Sequence, residues 1–384
     1  MKRKICVITG SRADYGLLRT VIQEIKDSSN LTLQIIATGM HLSPDFGLTF
    51  VEIESDGFRI DRKVEMLIQD DSPAGIAESM SRGLVGCAKA ISELSPNLIV
   101  VLGDRFEIIV SVLAALVAKI PVAHIHGGEL TLGSFDDAVR HSITKMSHLH
   151  FVAAEEYKNR VIQLGEDPER VFLVGGLGVD SIKRIKLLER KELEESLNIT
   201  FKEKSLLITF HPVTLEDNTS ASQLKELLKV LSDLEDTTLI FTLPNADPGG
   251  LELIQIIQEY VSKNPNAYAY ASLGQIKYMS CIAQVDGVIG NSSSGIMEVP
   301  SFKKGTVNIG IRQKGRIRAE SVIDCDPLEK SIRSAIHKLY SPEFIRILKN
   351  VVNPYGHGGA SEKIVNILNE TSLEEIVKKT FYDL

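Results

Sequence analysis

The chain is predicted to be an α/β protein made of two Rossmann-like, doubly wound parallel-sheet domains that share a cleft. Three observations lead there. Short β-branched runs alternate with longer amphipathic stretches from end to end. Those runs are apolar almost throughout, the mark of parallel strands covered on both faces. Gly, Ser, His, Asp, Glu and Arg collect just after the runs, and ligands of such sheets bind outside the carboxyl ends of the strands.

Strands are expected at 4–8, 33–37, 97–102, 121–125, 149–152 and 171–174, then at 205–210, 238–242, 285–289 and 306–309. Helices are expected between them, including 17–26, 75–93, 183–197 and 223–235, and again at 361–368 and 373–381. A glycine-rich turn, Gly175-Gly176-Leu177-Gly178, followed by a charged stretch marks the best boundary. The expected domains are residues 1–175 and 176–360, followed by a C-terminal helical segment, 361–384.

Composition narrows the function classes. With 384 residues, 43% of them hydrophobic, two full cores are easily built. A formal charge of −7 disfavours a protein held on nucleic acid by broad phosphate neutralisation. Cys6, Cys87, Cys281 and Cys325 are widely spaced with no C-x-x-C pair, which disfavours a disulfide framework or a zinc site. The basic start, Met1 to Lys4, is followed by too short an apolar run for a signal peptide. No stretch approaches the roughly 20 apolar residues of a membrane span, so a soluble, cytoplasmic protein is expected.

The strand ends carry the chemistry. Thr9-Gly10-Ser11-Arg12 lacks G-x-G-x-x-G spacing, so a dinucleotide cofactor is unsupported; Arg12 reads as a diphosphate partner or a surface arginine. Gly103-Asp104-Arg105 follows a very apolar strand, where it meets ligand or pins the loop as an ion pair. In His124-Ile125-His126-Gly127-Gly128-Glu129 the histidines lack metal-ligand spacing. His126, Glu129 and Asp136 read better as acid–base groups, although Asp136-Asp137 also suits a plain helix start. His211-Pro212 ends a strand with an imidazole at the cleft. Gly290 to Gly295 offers small residues and hydroxyls to a phosphate, or a serine N-cap with a nearby glutamate. Arg312, Lys314, Arg316 and Arg318 form a basic cluster after the last expected strand.

Taken in order, these motifs closely resemble the hydrolysing UDP-N-acetylglucosamine 2-epimerases, in the bacterial branch that starts sialic acid synthesis. Thr9 to Gly16, Thr38-Gly39-Met40-His41, Leu102 to Glu107, His124 to Glu129 and Arg140 to Lys145 carry the resemblance, with His211-Pro212, Gly290 to Gly295 with Glu298, and Arg312 to Arg316. It spans essentially the whole chain. The resemblance implies a GT-B architecture, with a C-terminal helix crossing back to the first domain. It also implies removal of the proton at sugar C2, anti elimination of UDP to a 2-acetamidoglucal, and hydration to free N-acetylmannosamine. No nicotinamide, metal or other cofactor is implied.

By the same resemblance, Asp104 and Asp136 match catalytic carboxylates, and Arg12, His211, Ser292, Ser293 and Arg312 match diphosphate or sugar contacts. Asn245 matches a cleft contact and Glu298 a ribose-binding glutamate. His41, Arg105 and Asn291, within the same motifs, complete the expected substrate-binding set. Related epimerases carry a catalytic Glu where this chain has His126, so His126 and Glu129 both stand as the C2 base. Three other functions compete: a paralogue acting on a UDP-2,4-diacetamido-trideoxyhexose, a GT-B glycosyltransferase, and a non-catalytic nucleotide-sugar sensor. A UDP-sugar is the expected partner, with no nucleic acid or membrane, and a homodimer or homotetramer is expected.

Overall fold

Seven parallel strands form the first sheet: β1 Arg3–Thr9, β2 Leu31–Thr38, β3 Arg62–Val64, β4 Leu98–Leu102, β5 Val122–Ile125, β6 Leu149–Val152 and β7 Val171–Leu173. Their order is β3-β2-β1-β4-β5-β6-β7. The helices that follow them in the chain are α1 Arg12–Asp27, α2 Phe50–Ser55, α3 Pro73–Leu94, α4 Phe106–Val117, α5 Asp136–Met146, α6 Glu155–Gln163 and α7 Leu177–Arg184. These come from a computed structural model that describes residues 2–70, 72–130, 135–212, 219–244, 250–271 and 273–384.

After α8 Arg190–Leu197, a second parallel sheet contains β8 Lys204–Thr209, β9 Thr237–Thr242, β10 Ala267–Tyr270, β11 Gly287–Gly290, β12 Gly305–Ile309 and β13 Val322–Cys325. Its order is β10-β9-β8-β11-β12-β13. The remaining helices are α9 Ser220–Ser232, α10 Gly250–Lys263, α11 Gly274–Gln284, α12 Ser294–Met297, α13 Glu329–Leu339, α14 Pro342–Asn350 and α15 Ala360–Glu370. The chain divides into two compact units. One contains the first sheet together with Gly358–Leu384, and the other contains Ile182–His357.

Strand pleating explains why the central strands are apolar throughout. In β1, Ile5 and Val7 pack with α1 and α15, while Cys6 and Ile8 pack with α3 and α4 on the opposite face. In β8, Leu206 and Ile208 meet α9, α10 and α13, whereas Leu207 meets α8 and α11. Each side chain so buried contributes about 1.5–3 kcal/mol by transfer from water.

Three strands escaped the sequence reading, β3, β10 and β13, and each lies at a sheet edge. An edge strand has one neighbour and can stay half exposed, so its apolar signal is weak; Arg62 and Lys63 of β3 are exposed. The expected helix 183–197 is two helices, because Glu189 starts a new capping box with Glu192 and Leu188 N–H donates to Ser280 Oγ at 2.9 Å. The expected helix 373–381 is a non-helical strap. Ile376 is buried in it, Glu375 has a φ of +56°, and Lys379 donates to the carbonyls of Lys145 and Ser147, each at 2.7 Å. The helix after Gly290 is only the four residues of α12. Pro300 has no N–H and disfavours helical backbone at Val299, so a short 3-10 turn over Val299–Phe302 follows.

In the first unit, Asp180 of α7 accepts from the Gly359 and Ser361 amides and the Ser361 hydroxyl. That carboxylate caps α15, whose preceding Gly359 has a φ of +84° and offers no side chain.

Candidate active site

In both sheets the strand order reverses once, between β1 and β4 and between β8 and β11. Crevices form at such switch points, and Arg12, Asp104, Arg105, His211, Asn291, Ser292 and Ser293 directly follow the strands that flank them.

In the first unit, β4 ends at Leu102 and Gly103 turns with a φ of +82°. Fully buried His124 holds that turn. Its Nε2 lies 2.8 Å from the Gly103 carbonyl and its Nδ1 lies 3.1 Å from Thr144 Oγ1 on α5. Burial pushes this imidazole down to about 3. A neutral ring facing a carbonyl at Nε2 must carry its proton there, so Nδ1 accepts from Thr144. His124 is therefore a strut that ties the Asp104 turn to α5.

Asp104 accepts a charge-assisted hydrogen bond from Arg140 of α5. Burial raises the Asp104 carboxyl; Arg140 opposes the rise, and the carboxylates of Asp136 and Glu129 reinforce it. A buried acid beside other carboxylates holds its proton more readily than an exposed one, and the Arg140 and Arg105 guanidiniums temper that. Arg140 is itself buried, and its Nε and Nη1 have no hydrogen-bond partner. Asp136, Arg140 and Thr144 share one face of α5 at i, i+4 and i+8. That spacing was legible in the sequence, yet Arg140, His124 and Thr144 were missing from the expected set.

His126 has a φ of +65°, a left-handed conformation that costs a non-glycine residue about 1–2 kcal/mol; such strain collects at functional sites. Its Nε2 accepts the Leu177 amide at 3.4 Å, so the proton belongs on Nδ1, which lies 3.2 Å from Glu129 Oε1. That contact is an ion-pair distance and not a hydrogen bond, and Glu129 Oε1 has no hydrogen-bond partner.

Other expected contacts are engaged internally. Arg105 binds Glu107 from Nε and Nη2 at 3.0–3.2 Å; burial pushes the Glu107 carboxyl up, and Arg105 opposes the rise. His41 is fully buried between Thr9 Oγ1 at 3.0 Å and Thr49 Oγ1 at 2.8 Å. Arg12 is exposed at the start of α1. There the Asp14 carboxylate already accepts the amides of Gly10, Ser11 and Tyr15, at 2.9, 2.7 and 3.0 Å. The start of α1 thus holds a carboxylate of its own chain.

In the second unit, Asn291 bridges the switch point. Its Oδ1 accepts His211 N–H at 2.7 Å, its Nδ2 donates to the His211 carbonyl at 2.8 Å, and it is fully buried. Its own carbonyl accepts from Arg312 Nη1 at 3.1 Å and Gln313 Nε2 at 2.9 Å. Asn291 is a latch that fixes His211 and Arg312 together. Burial, with Arg312 nearby, pushes the His211 imidazole down to about 4, and its Nδ1 has no hydrogen-bond partner. Ser292 and Ser293 are half-buried on the same turn. Glu298 sits near Ser294 and Arg316; burial raises its carboxyl and those two neighbours oppose the rise. Asn245 lies outside the described residues.

Gly290 lets β11 approach β8 at this point. Its φ is +139°, and an added Cβ would stand 1.9 Å from the Thr209 carbonyl oxygen. Gly290→Ala is expected to cost on the order of 3 kcal/mol, read as a lower urea midpoint with an unchanged m value.

Among the described residues, no group of three or more His, Cys, Asp or Glu is placed to hold a metal ion, and no helix is long and apolar enough to cross a membrane.

A Campylobacter jejuni protein named GDP/UDP-N,N'-diacetylbacillosamine 2-epimerase (hydrolyzing) is 44% identical over the full length of both chains. The Escherichia coli polysialic acid biosynthesis protein P7 is 38% identical, covering 100% of this chain and 98% of that one. Among solved structures, the Neisseria meningitidis UDP-GlcNAc 2-epimerase bound to UDP-GlcNAc superposes with a TM-score of 0.75 at 20% identity, covering 96% of this chain and all of that one. That likeness shows the two-domain GT-B fold. The family described as UDP-N-acetylglucosamine 2-epimerase matches residues 23–369, and this chain, with its buried Asp104–Arg140 pair in the first unit and its latched His211 in the second, belongs to that family.

Proposed function

We propose that the chain is a hydrolysing 2-epimerase whose donor is a UDP-2,4-diacetamido-2,4,6-trideoxyhexose. A carboxylate takes the proton from sugar C2, the C1–O bond breaks as UDP leaves, and a 2-acetamidoglucal results. Water then returns hydroxyl to C1 and a proton to C2 on the opposite face, releasing a free sugar of manno configuration. The observation that carries the chemistry is the Asp104–Arg140 pair, with Asp136 and Glu129 close enough to raise the Asp104 carboxyl. Glu129 is the better supported C2 base, because its Oε1 has no donor while Nε2 of His126 already accepts the Leu177 amide. His211 and Arg312, held by the Asn291 latch, suit the leaving diphosphate as a neutral donor and a cation.

The choice of donor leans on the 44% identity to the diacetylbacillosamine relative. The 38% identity to the polysialic acid protein favours UDP-GlcNAc as the second reading. Both donors should be supplied together in D2O, with no acceptor. The proposal expects UDP release mainly from the diacetamido donor and one deuterium at C2 of the free sugar by mass spectrometry. Dominant consumption of UDP-GlcNAc would exclude the donor reading. UDP release without C2 deuterium would exclude the mechanism, and release only with an added acceptor would indicate a glycosyltransferase.

A homodimer or homotetramer is also proposed, supported by exposed Leu116 and Val117 at the end of α4; sedimentation velocity tests it.

A further inference from the structure

Beside the acid–base cluster, the first unit contains a cavity of about 680 Å3 that the mechanism above does not use. It lies beyond the carboxyl ends of β2 and β3, and Phe106 joins its wall to the Asp104–Arg105 turn. Met40, another wall residue, places its sulfur 3.8 Å from Arg105 Nη2. Its apolar wall comes mainly from Met40, Phe46, Met66, Ile68, Ile76 and Phe106.

Charge restricts the occupant. Asp45, Glu65 and Asp70 line the cavity, and among the described residues its lining includes no lysine or arginine. A diphosphate would be repelled and left without a counter-charge, so the occupant is an uncharged part of a ligand. Volume and lining suit an acylated sugar. Phe46 is 48% exposed, a large apolar surface for a ligand to cover. Buried Ser79 accepts the Ile68 amide at 3.2 Å, which leaves its hydroxyl proton for a carbonyl.

We propose that this cavity is the specificity subsite for the sugar edge opposite the reacting C2, and that it takes the C4 acetamido group and the C6 methyl of the donor. The assignment rests on the donor reading above and deepens it. A hydroxyl at C4 and a hydroxymethyl at C6 place no methyl against the methionine and phenylalanine walls, so those walls add nothing to their binding. An acetamido methyl and a C6 methyl gain from the same walls, with roughly a fourfold gain in binding for each buried methyl-sized group.

The test uses the full chain with its methionine methyls labelled with 13C, and the Met40 and Met66 signals assigned by M40L and M66L. Addition of the UDP-diacetamido donor is expected to shift both signals, and UDP alone to shift neither. In parallel, F46S and I68N are expected to raise KM for that donor at least about tenfold, leaving UDP inhibition within about twofold and the thermal midpoint near wild type. If the donor is turned over while neither methyl moves and both variants keep their KM, the subsite is overturned and the donor reading stands. If the donor is not turned over, but free 2,4-diacetamido-2,4,6-trideoxymannose still shifts both methyls, the subsite stands and the donor reading fails. F46S, at a half-exposed position, keeps the test valid should I68N fail to fold.

Discussion

Asp104→Asn should lower kcat by about 10^2–10^4-fold, the usual contribution of a positioned acid or base, while UDP affinity stays within a few-fold. The two effects separate because Asp104 belongs to the first sheet's switch point, whereas the diphosphate contacts proposed at His211 and Arg312 belong to the second. The substitution also strands a buried cation, since Asp104 is the acceptor for Arg140 and Arg140 Nε and Nη1 have no other. Removing one partner of a buried pair costs about 3–5 kcal/mol, whereas replacing both is often near neutral. The double variant D104N/R140M should therefore recover most of the stability that D104N loses, and none of its activity. Single-turnover UDP release and urea unfolding of wild type and the two variants separate catalysis from stability.

Arg140→Met alone has a pH signature. Arg140 holds the Asp104 carboxyl below where burial alone would put it. Without the guanidinium the carboxyl titrates at higher pH, and the acidic limb of kcat/KM moves upward. An unmoved limb would show that the ionisation of Asp104 does not govern the reaction.

A second large effect is expected far from the chemistry, with Glu166→Gln costing about 3–5 kcal/mol of stability at pH 7. Glu166 is buried and receives three donors: His150 Nε2 at 2.8 Å, Lys145 Nζ at 2.9 Å and Lys379 Nζ at 2.6 Å. Burial works against its charge, but the His150 hydrogen bond and the two ammonium groups outweigh it and hold the carboxyl down to about 2. His150 is shifted down by its own burial, so it donates as a neutral ring. Because the folded carboxyl titrates below its ordinary value of 4.5, its stabilisation is full above that pH and fades as pH falls towards about 2. Wild type should lose this contribution across that interval and the Gln variant should not, so their urea midpoints converge in acid. The cluster clamps the C-terminal strap to Lys145, in the last turn of α5. Since Asp136 and Arg140 lie on α5, a smaller fall in kcat should accompany the loss of stability.

The legible parts of the sequence share a physical cause. Central parallel strands are buried on both faces, so β1, β4 and β8 stand out as unbroken apolar runs, and the polar residues after them mark the ligand edge. Asp104, His126, Asn291 and His211 could be placed at strand ends for that reason. The edge strands β3, β10 and β13 could not, because a strand with one neighbour need not be apolar. The strap over residues 373–381 carries a helix-like apolar spacing, yet it runs as a turn held by Lys379, Ile376 and Tyr382, whose amide donates to the Gly165 carbonyl at 3.0 Å. Those partners lie more than 200 residues away in the chain, and no local pattern encodes them.

By itself, the sequence determined two doubly wound units, the strand-end location of the polar residues, and the family to which their motifs belong. Only the tertiary structure decided what each polar group faces. Asp104 proved to be paired with Arg140, His41 and Arg105 to be engaged with Thr9, Thr49 and Glu107, and His126 to have its Nε2 turned to a backbone amide. A residue's position along the chain sets which strand end it occupies. Its protonation and its freedom to meet substrate depend on desolvation and on partners brought in from distant helices, and those exist only once the sheet is covered.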